Sequence, residues 1–205
     1  MMGQKEHWEN VFATKQETEV SWYKPSPKTS LDFISKLNIP KEAKMIDIGG
    51  GDSYLVDALL ERGFTNITLL DISAKAIDRI KERLGDKANQ VTFIVSDILD
   101  FNPSETYDLW HDRASFHFQT DERQIAKYAN IVASAVARKG HMVIGTFSEN
   151  GPKKCSGLDI TQYSEASMHA VFETHFELLD CITEDHTTPF DTIQNFIFCS
   201  FKKKY

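Results

Sequence analysis

Short β-rich runs alternate with helical patterns along most of this chain, and this alternation restricts the fold more than any other feature. Gly63, Gly85 and Gly140 lie where three of the helical patterns stop. The predicted strands are 44–48, 66–70, 91–95, 107–110 and 141–147, and the predicted helices are 54–62, 73–84 and 121–138. Alternation of this kind is typical of a parallel sheet with helices on both faces, so we expect a doubly wound α/β fold.

The end of the chain departs from this alternation. Residues 176–182 and 193–201 read as two strands with only a turn-rich stretch between them, which predicts an antiparallel hairpin at one edge of the sheet. No internal repeat or low-complexity linker interrupts the chain. We therefore predict one domain over 1–205, with an N-terminal helical or lid segment at 1–39 and an α/β core at 40–205.

Composition narrows the possible partners. The net charge of −7 argues against nucleic acid, and the basic run at 202–204 is better explained as a solvated tail. No stretch is long enough for a membrane span, and the polar N-terminus lacks the apolar region of a signal peptide. Cys155, Cys181 and Cys199 are odd in number and widely spaced, which predicts neither a disulfide framework nor a metal site and favours the cytoplasm.

Three consecutive glycines in MIDIGGGDS, residues 45–53, follow the first predicted strand. No Gly-Lys-Ser/Thr ending follows them, which excludes a phosphate-binding P-loop. A dinucleotide site favours a third glycine, and Ser53 takes that place here. Asp47 precedes the glycines, and its carboxylate would repel a pyrophosphate but suits a ligand that carries an ammonium group.

Two further acids follow the next two strands. Asp71 is placed to accept both hydroxyls of a ribose, and Asp97 is placed to meet an adenine amino group. Ammonium, ribose and adenine without phosphate describe S-adenosylmethionine, so we predict this cofactor and no metal. The alternative is that these acids only cap helices.

On these residues the chain resembles the class I S-adenosylmethionine-dependent methyltransferases over about 40–200. Asp47 and the glycines match the acidic first motif of that family, Asp71 its ribose-binding acid, and Asp97 its adenine-contacting segment. The resemblance implies a Rossmann-like, mostly parallel seven-stranded sheet with the last strand antiparallel. It implies a set of cofactor-binding residues: Asp47, Gly49, Gly50, Gly51, Asp71, Ile72, Ser73, Asp97, Ile98 and His111.

The segment that follows the fourth strand provides the candidate catalytic residues. Asp112-Arg113-Ala114 resembles the Asp-Arg-Gly of thiopurine-type methyltransferases and equally the Asp-Lys-Gly of elongation-factor lysine methyltransferases. His111 and His117 are candidate general bases, since imidazole titrates near neutral pH, although packed or solvated histidines are the alternative. The predicted catalytic residues are therefore Asp112, Arg113, His111 and His117.

The predicted substrate-binding residues are Trp22, Tyr23, Arg113 and Cys155. Trp22 and Tyr23 are expected to form an aromatic lid; alternatively, Trp22 packs with Trp8 against the sheet. Arg113 is expected to bind an acidic acceptor or the carboxylate of the donor, with an ion pair to Asp112 as the alternative. Cys155 belongs to a turn-rich loop after the fifth strand, and it either contacts the acceptor or is simply a small buried residue.

These features predict a methyltransferase that acts on a small-molecule nucleophile, such as a thiol or an amine. A protein-lysine methyltransferase is the alternative, and a non-catalytic protein that binds S-adenosylmethionine is a second alternative. We expect a small-molecule acceptor as the partner, with neither nucleic acid nor membrane involved.

Overall fold

The computed structural model describes residues 3–205 and contains the predicted seven-stranded, mostly parallel sheet. Its strands are β1 (Met45–Ile48), β2 (Ile67–Asp71), β3 (Val91–Val95), β4 (Tyr107–Arg113), β5 (Val136–Phe147), β8 (Phe176–Thr187) and β9 (Ile193–Lys203). The strands β6 (Lys154–Cys155) and β7 (Leu158–Asp159) form a small separate ribbon. The helices are α1 (Gln4–Thr14), α2 (Lys28–Lys36), α3 (Leu55–Glu61), α4 (Ala74–Leu84), α5 (Glu122–Ala135) and α6 (Glu165–Phe172).

The order of strands in the sheet is β3-β2-β1-β4-β5-β9-β8. The first five strands pair in parallel, and β9 and β8 form the antiparallel hairpin that the sequence predicts. The order reverses at β1, which has β2 on one side and β4 on the other. A crevice at the carboxyl ends of the strands forms at such a reversal, and ligands of open α/β sheets bind there.

A hydrophobic core covers each face of the sheet. Helices α2, α3 and α4 pack on one face against side chains such as Met45, Leu69 and Val143. Helices α5 and α6 pack on the other face against Trp110 and Ile144. Since both faces are covered, the central strands are largely apolar on both sides, and the acids Asp47 and Asp71 lie toward the carboxyl ends of β1 and β2.

Several predicted boundaries are wrong; for example, β5 begins at Val136 rather than at 141, and β8 continues to Thr187 rather than ending at 182. Helix α5 ends at Ala135 rather than at Arg138, because Val136 already pairs with Tyr107 of β4 and the chain then bulges before His141 pairs with Leu109. Strand β4 continues to Arg113 rather than ending at Trp110, because β5 extends alongside it. The longer β4 matters for the site, since side chains alternate between the two faces of a strand.

The prediction about the cysteines is wrong for one pair. Cys181 of β8 and Cys199 of β9 form a disulfide, and their Cα atoms lie 4.2 Å apart. The two residues are direct partners across the antiparallel hairpin. Their sequence separation of 18 does not by itself predict this contact. The cysteines therefore give no support to the predicted cytoplasmic location. No helix within residues 3–205 has the length and apolar character needed to cross a membrane.

The N-terminal segment lies over the carboxyl ends of the strands. Glu9 of α1 accepts hydrogen bonds from the hydroxyl of Ser73 (2.9 Å) and the N–H groups of Ala74 (2.9 Å) and Lys75 (3.2 Å). Its carboxylate thereby caps the N-terminus of α4, where free N–H groups and the helix dipole favour a negative charge. Burial raises the pKa of Glu9, but these hydrogen bonds outweigh it and hold the pKa below its ordinary value.

Candidate active site

A cleft of about 1240 Å³, measured out to its open mouth, lies between the strand ends and the N-terminal segment. Nine of the ten predicted cofactor-binding residues line it: Asp47, Gly49, Gly50, Gly51, Asp71, Ile72, Asp97, Ile98 and His111.

The glycine turn forms the floor of this cleft. Gly49 and Gly51 have φ angles of +60° and +52°, a left-handed backbone that side chains rarely tolerate. A Cβ atom at Gly49 would lie 2.6 Å from Cβ of Ser115, and one at Gly51 would lie 3.1 Å from the ring of Phe12. The turn therefore requires glycine at both positions, and it brings bare backbone to the surface of the cleft.

Asp71 at the end of β2 fixes the shape of that turn. Its Oδ2 accepts the N–H of Gly51 (2.9 Å), and its Oδ1 accepts the N–H of Ser73 (2.8 Å). Burial raises the pKa of Asp71 to about 7, although these two hydrogen bonds oppose the shift. Each carboxylate oxygen has a second lone pair, so the group can still accept hydroxyls from the cleft that it lines.

Asp97 and Ile98 line the same cleft beside β3. Oδ1 of Asp97 accepts the N–H of Leu99 at 2.9 Å and so caps the short 3-10 helix at 98–100. Capping of a helix was the alternative to ligand binding for this acid, and the structure shows that Asp97 does cap a helix. Since Asp97 also lines the cleft, the two roles do not exclude each other.

Asp47, His111 and Ser30 form a hydrogen-bonded row at the centre of the cleft. His111 Nδ1 lies 2.6 Å from Oδ1 of Asp47, and His111 Nε2 lies 2.9 Å from Oγ of Ser30. Since a carboxylate only accepts, Nδ1 carries the proton and Nε2 is left to accept from the serine hydroxyl. Oδ2 of Asp47 is buried and has no hydrogen-bond partner within residues 3–205.

Asp112, which was predicted to be catalytic, faces away from the cleft. Its Oδ1 accepts the N–H groups of Ser115 (2.9 Å) and Phe116 (3.1 Å), and its Oδ2 accepts the hydroxyl of Tyr128 (2.5 Å). Burial raises its pKa to about 6 against the effect of these bonds. The alternation of side chains along β4 turns His111 and Arg113 toward the cleft and Asp112 toward α5, so the geometry contradicts a direct catalytic role for Asp112.

His117, the second candidate base, is also outside the cleft lining. Its fully buried ring packs against Phe118 and Phe147, with centroid distances of 4.5 and 4.8 Å. Burial, followed by the charge of Arg113, lowers the pKa of His117 to about 3. A ring enclosed in this way cannot reach a ligand in the cleft. His117 is therefore a packed histidine, as the alternative stated, and not a general base.

Ser73, the tenth predicted cofactor residue, does not line the cleft either. It is the N-cap of α4, where its hydroxyl accepts the N–H of Ala76 at 3.2 Å and donates to Glu9. Its side chain is fully buried beneath α1. The sequence placed Ser73 next to the ribose acid, but the N-cap role directs the hydroxyl toward Glu9.

The predicted substrate-binding residues Trp22, Tyr23, Arg113 and Cys155 all line the cleft. Nη1 of Arg113 donates to the carbonyl oxygen of Trp22 at 3.2 Å. The indole of Trp22 packs edge-on against Trp8 at 5.6 Å between ring centroids, so the packing role is present, and the same residue lines the cleft. Burial raises the pKa of Cys155 to about 12, which keeps its thiol neutral.

Known proteins share this architecture and parts of this sequence. The model of a family described as "Methyltransferase domain" matches residues 39–193, which is most of the chain. The chain belongs to this methyltransferase family. It is an S-adenosylmethionine-dependent methyltransferase of class I, and S-adenosylmethionine is its cofactor.

Similar proteins include enzymes with unlike acceptors. Malonyl-[acyl-carrier protein] O-methyltransferase 1 of Ilyobacter polytropus is 33% identical over 52% of this chain and 39% of its own length. The eEF1A lysine and N-terminal methyltransferase of Mus musculus is 30% identical over 60% of this chain and 18% of its own length. The chain thus spans less than half the length of either of these relatives.

Solved structures share the fold at lower identity. A methyltransferase from Anabaena variabilis superposes with a TM-score of 0.76 at 13% identity, over 100% of this chain and 96% of that one. The N-methyltransferase NodS from Bradyrhizobium japonicum, in complex with S-adenosyl-L-homocysteine, gives 0.71 at 14% identity over 96% and 98%. Identities this low establish the common fold alone.

The residues of the cleft fit the cofactor. Oδ2 of Asp47 is a buried acceptor without a donor, which an ammonium group would satisfy. Asp71 offers carboxylate lone pairs to hydroxyls, and Asp97 and Ile98 form the part of the cleft next to β3. The fit thus rests on the unpartnered oxygen and on the line of acids along adjacent strand ends.

Several residues of the site were not predicted. Ser30 and Lys24 line the cleft, and Glu9 holds α1 above it. All three lie in the N-terminal segment, and their partners are distant in sequence: Ser30 and His111 are 81 residues apart. An isolated serine or glutamate in an amphipathic helix carries no local signal of such a contact.

Proposed function

We propose that this methyltransferase acts on a small-molecule nucleophile, such as a thiol or an amine. The observation that carries the proposal is the closure of the acceptor side of the cleft by the chain itself. Trp22, Tyr23 and Trp8 line the cleft from the N-terminal segment. An acceptor held beneath them is surrounded by side chains of this chain, which favours a compact molecule over a folded protein surface.

Contacts at three places support this closed arrangement. Glu9 caps α4, and Nε2 of His7 lies 3.2 Å from the hydroxyl of Ser156 in the turn that joins β6 to β7. Lys24 donates to Oε1 of Glu184 on β8 at 2.7 Å. These bonds tie the segment to both ends of the cleft, so a protein substrate would have to break several of them to enter.

The row formed by Ser30, His111 and Asp47 supports deprotonation of the acceptor. Ser30 lines the cleft, and its hydroxyl can take a proton from an acceptor while its own proton moves to Nε2 of His111. Asp47 holds Nδ1–H and stabilises the imidazolium that results. A nucleophile that arrives protonated, such as a thiol or an ammonium, needs a base of this kind.

When bound, the cofactor supplies a methyl group that is electrophilic because it is attached to a sulfonium. The residues of this chain then contribute mainly by position. Asp47 and the glycine turn orient the donor from one side, and Trp22 and Arg113 confine the acceptor on the other. Holding two reactants in line removes much of the entropic barrier to a displacement reaction.

A protein-lysine methyltransferase is the second candidate. It is favoured by the 30% identity to relatives named as eEF1A lysine methyltransferases. The identity to a malonyl-[acyl-carrier protein] O-methyltransferase is of similar strength, so identity alone does not choose between the classes.

Transfer of radiolabelled methyl groups into a cell lysate separates the two candidates. The lysate is incubated with the protein and labelled S-adenosylmethionine, and the filtrate of small molecules is separated from precipitated protein. The proposal predicts label in the filtrate that is lost in the Ser30→Ala and His111→Ala variants. Label in one protein band, with none in the filtrate, would overturn the small-molecule proposal in favour of the lysine methyltransferase.

A further inference from the structure

The guanidinium of Arg113 forms no ion pair within the described residues. Arg113 is partly buried, and its remaining exposed surface faces the cleft. Across residues 3–205 it makes one hydrogen bond, to the carbonyl of Trp22, and forms no ion pair. A guanidinium has several N–H donors in a planar fork, so most of its hydrogen-bonding capacity is unused. Burial lowers the pKa of Arg113, while the carboxylates of Glu184 and Asp47 act against this shift, and an arginine stays protonated in proteins.

The acidic group on this side of the cleft, Glu184, is already matched. Lys24 donates to its Oε1 at 2.7 Å, and the hydroxyl of Thr29 donates to its Oε2. The charges of the lysine and the glutamate cancel each other, so this pair does not neutralise the charge of Arg113. Cys155 offers no compensation, because burial raises the pKa of its thiol to about 12. His186 is neutral at pH 7 as well, since burial lowers its pKa. None of these neighbours therefore gives the guanidinium of Arg113 an ion-pair partner of its own.

The direction of the Arg113 side chain places this charge away from the donor. Asp47, whose free oxygen suits the donor's ammonium, lies on β1, and its partner across β4 is His111. Arg113 is two residues further out, about 6.6 Å along the strand. Its guanidinium carbon lies 5.4 Å from the ring centroid of Phe196 on β9, so the side chain extends across β5 and away from β1. The ammonium and carboxylate of the donor share one carbon, which keeps that carboxylate near Asp47.

The walls around this charge are aromatic. Trp22, Tyr23 and Phe118 line the cleft, and Trp8 packs edge-on against both Trp22 and Phe118 at 5.6 and 5.2 Å. Flat apolar walls suit a planar apolar ligand. An unpaired guanidinium beside them suits a carboxylate on that ligand, because a carboxylate accepts two parallel hydrogen bonds from the guanidinium.

We propose that Arg113 binds a carboxylate on the methyl acceptor, and that the acceptor is a small, planar, apolar molecule which carries this carboxylate. This inference rests on the proposed small-molecule function and names its substrate class. The carboxylate orients the molecule, and a separate thiol, amine or hydroxyl on it receives the methyl group.

Calorimetry with benzoate and its neutral isostere benzamide tests the inference without knowledge of the natural acceptor. The full chain is first saturated with S-adenosylhomocysteine, and each compound is then titrated in. We expect benzoate to bind at least about tenfold more tightly than benzamide, as for a charge-assisted hydrogen-bonded pair. Arg113→Gln should remove the preference and leave the affinity for S-adenosylhomocysteine within about twofold. Arg123→Gln, on the exposed surface of α5, makes the same change of charge and should keep the preference.

Arg113→Lys is the second variant. It keeps the positive charge and replaces Arg113→Gln in the test if that variant does not fold. It should retain a reduced preference for benzoate. Equal affinities for benzoate and benzamide in the unaltered protein would overturn the inference while leaving the proposed function intact. A loss of S-adenosylhomocysteine affinity in Arg113→Gln would overturn it as well, since Arg113 would then hold the donor's carboxylate. No binding of S-adenosylhomocysteine by the unaltered protein would instead overturn the cofactor site, and the proposed function with it.

Discussion

Nδ1 of His111 and Oδ1 of Asp47 lie 2.6 Å apart, at the ends of two adjacent parallel strands. The contact leaves the other carboxylate oxygen free for the donor and leaves Nε2 of the imidazole directed at Ser30. One pair of residues thus joins the part of the cleft that fits the cofactor to the part that can remove a proton from the acceptor.

Asp71→Ala should weaken binding of S-adenosylhomocysteine by about 1–3 kcal/mol, because ribose hydroxyls lose a carboxylate acceptor. The free energy of unfolding should fall as well, since the N–H groups of Gly51 and Ser73 lose their partner. Calorimetry and urea denaturation measure the two effects. Unchanged affinity together with a lowered free energy of unfolding would show that Asp71 only shapes the turn.

The affinity for S-adenosylhomocysteine should rise with pH. Burial raises the pKa of Asp71 to about 7, and the ionised carboxylate is the form that accepts hydroxyls. The dissociation constant should therefore increase by up to about tenfold per pH unit as the pH falls below that pKa. Asp71→Asn should remove this dependence. A flat profile in the unaltered protein would exclude Asp71 as the titrating group.

The raised pKa of Asp71 should also make the free energy of unfolding of the ligand-free protein depend on pH. Folded Asp71 binds its proton more tightly than the unfolded chain, whose pKa is 3.8. Between these two pKa values the folded state holds more protons, so this group's contribution to stability decreases as the pH rises. Urea denaturation of the unaltered protein and Asp71→Asn across this interval should show a difference that changes in that direction.

We expect Asp112 to stabilise the fold and not to take part in catalysis. Asp112→Ala leaves the N–H groups of Ser115 and Phe116 and the hydroxyl of Tyr128 without their acceptor, so the free energy of unfolding should fall by about 3 kcal/mol or more. Asp112→Asn keeps one oxygen and should lose less. The comparison is by urea denaturation, with Asp108→Ala on the same strand as the control. A drop in turnover without loss of stability would restore the catalytic role.

Glu9→Ala should shorten the residence time of S-adenosylhomocysteine. The carboxylate holds α1 on the N-terminus of α4, and Trp8 and Phe12 of the same helix line the cleft. Loss of a cap of this kind costs about 1 kcal/mol, which corresponds to roughly fivefold faster dissociation. Stopped-flow fluorescence measures the rate, and Asn10→Ala, at an exposed position of the same helix, is the control. Equal rates in all three proteins would mean that α1 does not restrain the ligand.

The sequence predicted which glycines and acids would gather in the cleft, because these residues follow a local rule. Glycines and acids at the ends of consecutive parallel strands must meet at one edge of the sheet, whatever the rest of the chain does. Asp47, Gly51, Asp71 and Asp97 all line the cleft for this reason.

The acceptor side was predicted less well, for two physical reasons. Residues 111–113 were placed just past the end of the fourth strand, whereas they continue β4, and the alternation of a strand sends Asp112 to the opposite face. Ser30 and Glu9 reach the site through contacts over many residues, which no local pattern encodes. The Cys181–Cys199 bond was missed because it depends on the register of β8 and β9.

The central claim is that the cleft binds S-adenosylmethionine and its demethylated product through Asp47, without a metal. Calorimetric titration of chelator-treated protein with S-adenosylhomocysteine, and with its analogue that lacks the amino group, tests it most directly. We predict one-to-one binding of S-adenosylhomocysteine and about tenfold weaker binding of the analogue, with the difference abolished in Asp47→Asn. The absence of binding heat for S-adenosylhomocysteine, or equal affinity of the unaltered protein for both compounds, would contradict the account.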